Sequence, residues 1–211
     1  MNLLPTLAAE STLWQQGLLR VAGVDEAGLG CLAGPVVAAA VVIPAFCQPI
    51  EGVKDSKLLS LAQREQLFDR IVNHAIAVGV GMATVREVEC LNVLRASYLA
   101  MGRSLSRVSP YDHALIDGRP IQQANLASHT TIINGDATSY AIACASIIAK
   151  VRRDRFMKRL AVRFPGYGWE KNAGYGTKQH LQALQTLGIT PHHRQTYAPV
   201  KRVIEIRSQV Q

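Results

Sequence analysis

Hydrophobic residues along the chain fall into two kinds of segment, short continuous runs and longer periodic stretches. The short runs have strand length and are rich in Val, Ile and Ala, and they cover residues 18–24, 36–43, 75–83, 113–116 and 130–133. In the longer stretches apolar residues recur every three or four positions, which predicts helices at about residues 60–73, 88–108, 139–163 and 177–187. Ser60, with Gln63 three residues later, is typical of a capping box and marks the start of the first helix. The sequence after Pro199 is basic and polar and is expected to form a tail.

The order of these segments predicts the architecture. Strand-like runs cluster early and then alternate with helical stretches, which favours an α/β fold with a mixed β-sheet flanked by helices. The 211 residues are expected to form a single domain, 1–211, because no internal repeat or linker-like segment interrupts them. Gly-rich and aromatic sequence around the last predicted helix indicates a helical C-terminal extension at about residues 165–203.

The balance of charge points to an acidic partner. The net charge is +8 and the sequence pI is about 9.6, so the surface attracts polyanions, of which nucleic acid is the commonest. Seven of the 23 basic residues lie within residues 150–163. Four of them recur at helical spacing and form one stripe: Arg152, Arg155, Arg159 and Arg163. Both a phosphate-facing stripe and a solvated helix face fit this pattern.

Membrane insertion and disulfide bonding are not expected. The longest apolar run, 36–43, ends at Pro44 and is far shorter than the roughly 20 residues of a membrane-spanning helix. No Lys or Arg precedes Arg20, so the start of the chain lacks the charge of a secretory signal. The four cysteines form no CxxC pair, which favours free thiols in a reducing cytoplasm over zinc binding or disulfides.

Carboxylates follow three of the predicted strands. Asp25 and Glu26 come after the run ending at residue 24, Asp117 follows 113–116, and Asp136 lies just past 130–133, before a helix. If these strands are neighbours, the acids converge at one edge of the sheet, where ligands of α/β proteins bind. Clustered carboxylates favour a divalent cation that prefers oxygen, Mg²⁺ or Mn²⁺. Two such ions, roughly 3.5–4 Å apart, suit an in-line phosphoryl displacement.

Structural roles for the same acids fit the residues as well. Asp117 before Gly118 is a common turn signal, and Asp136 has the position of a helix cap. Adjacent strand residues point to opposite faces of a sheet, so Asp25 and Glu26 face the same way only if the strand ends between them. The pattern of acids therefore predicts a possible metal site and does not identify it.

Five segments with recognisable motifs follow one another along the chain: GVDEAGLGCLAGPVVAAAV, KDSK, LIDG, GDATSYAIACASIIAKVRRDRFM and YGWEKNAGYGTKQHLQALQTLGITPHHRQTYAPV. In these motifs and in their order the chain resembles bacterial ribonuclease HII over about residues 20–203. The resemblance implies an RNase H-like fold with a helical C-terminal region that contacts substrate. It also implies hydrolysis of the RNA strand of RNA–DNA hybrids. Ribonucleotide-containing duplex DNA is the second implied substrate, incised on the 5′ side of the ribonucleotide to leave 3′-hydroxyl and 5′-phosphate ends.

The resemblance assigns roles residue by residue. The catalytic and metal-binding acids are Asp25, Glu26, Asp117 and Asp136, which would hold Mn²⁺ or Mg²⁺, with two ions during catalysis. The implied substrate-binding residues are Gly28, Leu29, Gly30, Lys54, Ser56, Lys57, Lys150, Arg153 and Tyr175. Tyr175 matches the tyrosine that packs on the sugar at the RNA–DNA junction, and Gly28 and Gly30 match a turn whose backbone approaches the ribose 2′-hydroxyl. The protein is expected to be a cytoplasmic monomer without a membrane partner.

Five positions depart from the family pattern. Leu29 stands where the family carries Arg, and Leu58, Asn134, Asn172 and Ala173 stand where it usually carries Lys, Lys, His and Lys. Each change removes a cationic or potentially cationic side chain, which predicts a complete metal site with a weakened grip on phosphate. The alternative hypotheses for the function are a module that binds hybrids without cutting them and a nuclease that acts on DNA alone. Catalysis by His192 and His193 is a weaker reading, because their PHHR turn favours structural support or a phosphate contact.

Overall fold

A five-stranded mixed sheet lies at the centre of this computed structural model, which describes residues 4–120, 126 and 128–209. The strands are β1 (Val21–Ala27), β2 (Val36–Val42), β3 (Ala77–Ala83), β4 (His113–Asp117) and β5 (His129–Ile132). Their order in the sheet is β3-β2-β1-β4-β5, with β1 antiparallel to β2 and parallel to β4. The predicted α/β fold with a mixed sheet is confirmed. Because β1 and β4 are parallel neighbours, the residues at their carboxyl ends lie at the same edge.

Helices cover both faces of the sheet. In the described residues they are α1 (Ala8–Gln15), α2 (Leu61–His74), α3 (Val85–Leu91), α4 (Val93–Leu105), α5 (Gly135–Thr138), α6 (Tyr140–Arg163), α7 (Trp169–Asn172), α8 (Lys178–Leu187) and α9 (Ala198–Ser208). Helix α6 packs on one face of β1 and β2, and α4 packs on the other face. None of these helices is both long and apolar enough to cross a membrane, a finding limited to the described part of the chain.

Small residues allow the helices to approach the sheet closely. A Cβ atom on Gly23 of β1 would lie 2.1 Å from the carbonyl carbon of Ala141 in α6. Gly81 of β3 has the same relation to α4, where a Cβ would lie 2.0 Å from the carbonyl oxygen of Ala100. Any larger side chain would push the helix away from the strand. Helix α6 is therefore held close against β1, the strand that carries the first two acids.

Three differences from the predicted elements have clear physical reasons. Strand β1 continues to Ala27 because Asp25 and Glu26 pair with Ala39 and Ala38 of β2. The single helix predicted over 88–108 is two helices, separated at Asn92, whose φ of 67° breaks the first and whose side chain caps the second. The predicted polar tail contains α9, because Val200 and Val203 are buried against Leu184 and the periodicity of this short helix is easily missed. The capping box at Ser60 and the long helix ending at Arg163 are confirmed.

Candidate active site

A cleft of about 280 Å³ opens at the carboxyl ends of β1 and β4. Asp25, Glu26 and Asp117 line it together. The other lining residues are Ala27, Gly28, Leu29, Gly30, Ser56, Lys57, Ser146, Lys150 and Tyr175. Residues from the β1 turn, the KDSK segment, α6 and the C-terminal region therefore meet in one place, although up to about 150 residues separate them in sequence.

Asp25 and Glu26 lie on opposite faces of β1. This agrees with the expectation that they face the same way only if the strand ends between them, because both residues pair regularly with β2. Asp25 is buried on the α6 face beside Ser146, and Glu26 is on the α4 face beside Ser97. Both residues lie at the end of the strand. The charge of Asp117 therefore raises the pKa of each side chain, although the two point to opposite faces.

Asp117 and Asp136 are joined through the backbone of α5. Oδ1 of Asp117 accepts a hydrogen bond of 2.7 Å from the amide of Gly135, the first residue of α5. Asp136 is the next residue, so Asp117 fixes the one-turn helix that carries the fourth acid. Asp136 was expected just before a long helix, but it lies inside this separate short helix and is buried. The four carboxylates are hereafter called the acid cluster: Asp25, Glu26, Asp117 and Asp136.

Burial and mutual repulsion raise the pKa of three members of the acid cluster. Burial raises the pKa of Asp25 well above its usual value, and the charges of Glu26 and Asp117 raise it further. The pKa of Glu26 rises to about 7, mainly through burial and then through the charge of Asp117. Burial and the charge of Asp136 raise the pKa of Asp117. These carboxylates therefore lack enough positive charge around them, which is the situation that a bound cation relieves.

Lys57 supplies one positive charge at the acid cluster. Its Nζ atom lies 2.9 Å from Oδ2 of Asp136 and 3.8 Å from Oδ1 of Asp55. Burial lowers the pKa of Lys57, but the hydrogen bond and charge of Asp136 outweigh that effect and raise it above its usual value. The ammonium group is thus a permanent cation beside the fourth acid.

The acid cluster fits a hard divalent cation by the chemistry of its donors. All its donor atoms are carboxylate oxygens, which Mg²⁺ and Mn²⁺ prefer. Within the described residues, however, no three His, Cys, Asp or Glu side chains are arranged so that they could already hold a metal ion. Asp25 and Glu26 point to opposite faces, and Lys57 lies against Asp136. Metal binding at these acids therefore requires side-chain adjustment.

A buried arginine holds the glycine-rich turn that follows β1. Arg194 donates from Nη2 to the carbonyl oxygen of Gly28 and from Nη1 to that of Leu29, both at 2.7 Å. It also donates from Nε to Gly34. Gly28 has a φ of +104°, in the region that favours glycine, and a Cβ atom there would lie 2.1 Å from Nε of Arg153. The turn is therefore rigidly defined before any ligand is present.

Arg153 is a second clamp and not a substrate contact. It was predicted to bind substrate, but it is 0% exposed and its guanidinium group donates to the carbonyl oxygens of Pro35, Ala173 and Ala33. The reason is its position on the face of α6 turned toward the glycine-rich turn, where three backbone oxygens need a donor. Arg153 thus connects this turn to the loop before Tyr175.

Tyr175 projects from a loop into the cleft. It is 43% exposed, and Nζ of Lys150 lies 5.7 Å from the ring centroid. Burial raises the pKa of the Tyr175 hydroxyl. Lys150 also donates to Asp154 at 2.7 Å. One face of the cleft therefore presents an accessible aromatic ring beside a cation.

Two other predicted substrate contacts differ in position. Ser56 lines the cleft but is buried, and its hydroxyl group lies 2.8 Å from that of Ser146. Since Ser146 lies beside Asp25, Ser56 is part of the surroundings of the first acid. Lys54 is outside the residues that line the cleft. The structure thus brings most of the predicted residues together but leaves Lys54, Arg153 and Asp136 outside the lining, with Asp136 paired to the lining residue Lys57.

The departures from the family pattern have partly structural explanations. Asn134 has a φ of 55°, a left-handed conformation that asparagine tolerates better than most residues. Asn172 donates to the carbonyl oxygen of Tyr167 and accepts from the amide of Gly174, so it shapes the loop before Tyr175. Leu58, by contrast, is 51% exposed, and nothing in the structure explains it.

The arginine stripe of α6 lies away from the cleft. Arg155 pairs with Glu65 and lies over the ring of Phe68, with 4.4 Å between the guanidinium carbon and the ring centroid. Arg152 lies over the same ring at 5.4 Å. No arginine of the stripe lines the cleft, so the stripe belongs in part to the packing of α6 against α2.

Several supporting residues were missed at the sequence level. Ser97 and Ser146 lie beside Glu26 and Asp25, and Arg194 holds the glycine-rich turn. Ser146 had a readable signal, because it is a hydroxyl residue inside the otherwise apolar run 141–149 of α6. Arg194 lacked one, since its partners lie about 160 residues earlier in the chain.

Comparison with known proteins identifies the family. The Ribonuclease HII family profile matches residues 22–200. The chain is 58% identical over 192 residues to Ribonuclease HII of Thermosynechococcus vestitus, a match that covers 91% of this chain and 90% of that protein. All four cysteines are free in the structure, as expected from the absence of a CxxC pair in the sequence.

Solved structures give the same answer for the fold. Ribonuclease H2 from Pyrococcus horikoshii OT3 is similar with a TM-score of 0.70 and 26% identity, covering 90% of this chain and 99% of that one. Bst-RNase HIII in complex with Mn²⁺ has a TM-score of 0.73, covering 93% of this chain and 72% of that one, but at 18% identity it supports the fold alone. The predicted RNase H-like fold is confirmed, and the chain belongs to the ribonuclease HII family.

Proposed function

We propose that this ribonuclease H cuts the RNA strand of RNA–DNA hybrids and also incises duplex DNA on the 5′ side of a single embedded ribonucleotide. The products are 3′-hydroxyl and 5′-phosphate ends. The observation that carries this proposal is the meeting of three carboxylates, a glycine-rich turn and an exposed aromatic ring in one cleft. The net charge of +8 suits a polyanionic duplex.

We infer that the acid cluster holds divalent cations, Mn²⁺ or Mg²⁺, with two ions during catalysis. The oxygen-only donor set and the raised pKa values of Asp25, Glu26 and Asp117 support this inference. A neighbouring structure, Bst-RNase HIII, was solved with Mn²⁺. When bound, such cations supply Lewis-acid chemistry for phosphodiester hydrolysis. The protein contributes the backbone positions of the acids, at the end of β1 for Asp25 and Glu26 and in α5 for Asp136, and their side chains would adjust to the cation.

The glycine-rich turn and Tyr175 would provide selectivity for a ribonucleotide. Arg194 fixes the carbonyl groups of Gly28 and Leu29, so the turn offers a preformed backbone surface to a ribose 2′-hydroxyl that DNA lacks. The Tyr175 ring would pack on a sugar without reading a base. Because this ring comes from the segment 165–203, that segment is proposed to act as a substrate-contacting extension of a single domain. A cytoplasmic location and a monomeric state stay predictions.

The decisive experiment compares three duplexes of one sequence: a duplex with one ribonucleotide, an RNA–DNA hybrid and an all-DNA duplex. Each is incubated with Mg²⁺, Mn²⁺ or EDTA, and the cut is mapped on a sequencing gel. We expect metal-dependent cutting of the first two duplexes, at the 5′ side of the single ribonucleotide, and little cutting of the third. Equal cutting of all three would support the DNA nuclease instead. Binding of the hybrid without cleavage in any metal would support the binding module.

A further inference from the structure

A buried cluster of aromatic and imidazole rings lies behind the loop that carries Tyr175. Trp169, His180 and His193 are each at most 1% exposed, and none of them lines the cleft. The rings of Trp169 and His193 have centroids 5.2 Å apart, and those of His180 and His193 are 5.3 Å apart. These rings are too deeply buried to touch a nucleic acid, so their effect on the cleft must pass through another residue.

The hydrogen bonds of this cluster determine which nitrogen of His180 carries the proton. The indole Nε1 of Trp169 can only donate, and it lies 3.0 Å from Nε2 of His180. Nε2 of His180 must therefore be the unprotonated nitrogen. A neutral imidazole then has its proton on Nδ1, which lies 3.0 Å from the carbonyl oxygen of Tyr175. His180 thus donates a hydrogen bond to the backbone of Tyr175.

His193 reinforces the same arrangement. The amide of Thr190 donates to Nδ1 of His193 at 2.9 Å, so the proton of His193 is on Nε2. That nitrogen lies 3.0 Å from Nε2 of His180 and donates to it. Burial, and then the neighbouring His180, lowers the pKa of His193 to about 3, and burial also lowers the pKa of His180. Both rings are therefore neutral near neutral pH, as this set of donors and acceptors requires.

The hydrogen bond from His180 is a side-chain contact to the Tyr175 loop, which also has the backbone hydrogen bonds from Tyr175 to Asn172 and from Thr177 to Tyr175. Tyr175 lies between Gly174, whose φ is +86°, and Gly176, and glycines leave a loop many conformations. The loop follows α7 and precedes α8, and Thr177 caps α8 through the amide of His180. His180 is thus anchored in the first turn of α8, and side chains there point back toward the preceding loop.

We propose that His180 is a positioning residue for Tyr175: its Nδ1–H holds the Tyr175 carbonyl group and thereby sets the ring at the mouth of the cleft. Trp169 and His193 fix the tautomer that makes this possible. The proposal rests on the proposed contact between Tyr175 and the sugar of the substrate. It assigns to buried His180, at the end of the GYGTKQH segment, a function in selectivity that is separate from packing.

Two substitutions at one position separate the donor from the rest of the cluster. His180→Asn places an amide nitrogen near the position of Nδ1, so it can still donate to Tyr175. His180→Gln places its amide near Nε2, so it can still bond to Trp169 and His193, but it leaves the Tyr175 carbonyl with the backbone amide of Thr177 as its donor and removes the side-chain donor. We expect His180→Gln to lower kcat/KM on the single-ribonucleotide duplex by roughly five- to ten-fold, the effect of one lost hydrogen bond. His180→Asn should retain most of the activity.

A double-mutant cycle with Tyr175→Ala distinguishes positioning of Tyr175 from a merely structural role of His180. It compares the effect of His180→Gln on kcat/KM with and without the Tyr175 ring. In the Tyr175→Ala background the Gln substitution should change kcat/KM by less than about two-fold, since the ring that it positions is gone. If His180→Gln costs the same factor in both backgrounds, or if the Asn and Gln variants are equally impaired, the positioning role is overturned. An unchanged kcat/KM in Tyr175→Ala alone would instead overturn the proposed sugar contact, and the His180 proposal with it.

Nitrogen-15 NMR of the unsubstituted protein tests the proposal without depending on whether the variants fold. We expect the His180 ring to be neutral near neutral pH, with its proton on Nδ1. A proton on Nε2, or a charged ring under these conditions, would remove the donor to Tyr175 and overturn the proposal.

Discussion

The Nζ atom of Lys57 lies 2.9 Å from the Oδ2 atom of Asp136, so an ammonium group already neutralises one member of the acid cluster. The lysine side chain is 74% exposed, whereas the aspartate side chain is only 8% exposed. The lysine can therefore swing into solvent at little cost, and the aspartate cannot. A cation that binds at Asp136 meets Lys57 as a competitor for the same carboxylate oxygen.

Substituting Lys57 should therefore change metal affinity directly. We expect Lys57→Gln to tighten Mn²⁺ binding by about two- to five-fold, because an exposed ion pair contributes up to about 1 kcal/mol and the added positive charge repels the metal. Isothermal titration calorimetry without substrate measures this effect. Lys54→Gln removes the same charge outside the cleft and should leave the affinity unchanged. Weaker Mn²⁺ binding by Lys57→Gln would mean that the lysine supports the metal site instead of competing with it.

Removing single acids should abolish activity without unfolding the protein. Asp25→Asn and Asp136→Asn keep the side-chain shape but remove a negative ligand, so we expect cleavage to fall by at least roughly a hundred-fold. In EDTA, the melting temperature of Asp25→Asn should be unchanged or higher, because burial and repulsion disfavour the charged carboxylate. Asp69→Asn, on the exposed face of α2, is the control for an ordinary aspartate. Near-normal cleavage by either folded variant would show that the site is mislocated.

The raised pKa of Glu26 predicts how the stability of the metal-free protein changes with pH. The pKa is about 7 in the folded state against an ordinary value of 4.5, so the folded state binds the proton more tightly than the unfolded state does. Protonation of Glu26 therefore stabilises the folded state. The free energy of unfolding decreases as the pH rises from about 4.5 to about 7, because the stabilisation from this proton is lost. The loss should be roughly 1–3 kcal/mol.

Urea unfolding in EDTA at several pH values, for wild type and Glu26→Gln, checks this contribution. The difference in free energy of unfolding between the two proteins should shift in favour of Glu26→Gln across that pH range. The lowered pKa values of His180 and His193 affect both proteins equally, so they cancel in the difference. A constant difference across the range would contradict the raised pKa. With excess Mn²⁺, wild type should become more stable than Glu26→Gln at the upper end of this pH range, because the metal stabilises the charged carboxylate.

Local patterns predicted much of the fold, because they report burial. The apolar run of β2 and the capping box at Ser60 each consist of residues close together in the sequence. They could therefore be predicted without knowing which distant segments pack against them. The break at Asn92 was not predicted, since an apolar period continues through a single residue with positive φ. The extension of β1 through Asp25 and Glu26 depends on pairing with β2, which hydrophobicity does not report.

The site was predictable in its acids and less so in its cations. Carboxylates after apolar strands are visible in the sequence, whereas the partner of an arginine is not. Arg153 and Arg155 are close together in a basic run, yet one is buried against backbone carbonyl groups and the other pairs with Glu65. Only the path of distant segments decides between these outcomes.

Substitution of Tyr175 should separate its ring from its hydroxyl group. We expect Tyr175→Ala to lower kcat/KM on the single-ribonucleotide duplex by about five-fold, near the lower end of 1–3 kcal/mol for aromatic stacking in nucleic-acid binders. Tyr175→Phe keeps the ring and loses only the hydroxyl group, so its effect should be smaller. Steady-state kinetics of both variants give the comparison. If Phe is as damaging as Ala, the hydroxyl group is the functional part.

The last prediction concerns Leu29, which stands in the glycine-rich turn where the family carries arginine. Its side chain is half-buried against the apolar layer between the sheet and α4, while Arg194 and Tyr197 bind its carbonyl oxygen. Leu29→Arg keeps the backbone contacts, adds a charge at the cleft and gives up apolar packing. We expect tighter duplex binding with a log K against log[salt] slope steeper by about 0.7–0.9, together with a lower melting temperature.

Leu29→Met is the matched control, because it keeps an apolar side chain of similar volume and should leave the salt slope unchanged. Binding titrations at several salt concentrations and thermal melts of the three proteins measure both effects. A lower KM with an unchanged kcat would mean that the arginine contacts phosphate equally in the ground and transition states. A higher kcat would mean that it also orients the scissile phosphate. An unchanged salt slope with a lowered melting temperature would make Leu29 a packing residue. The weakened grip on phosphate inferred from this position would then be wrong.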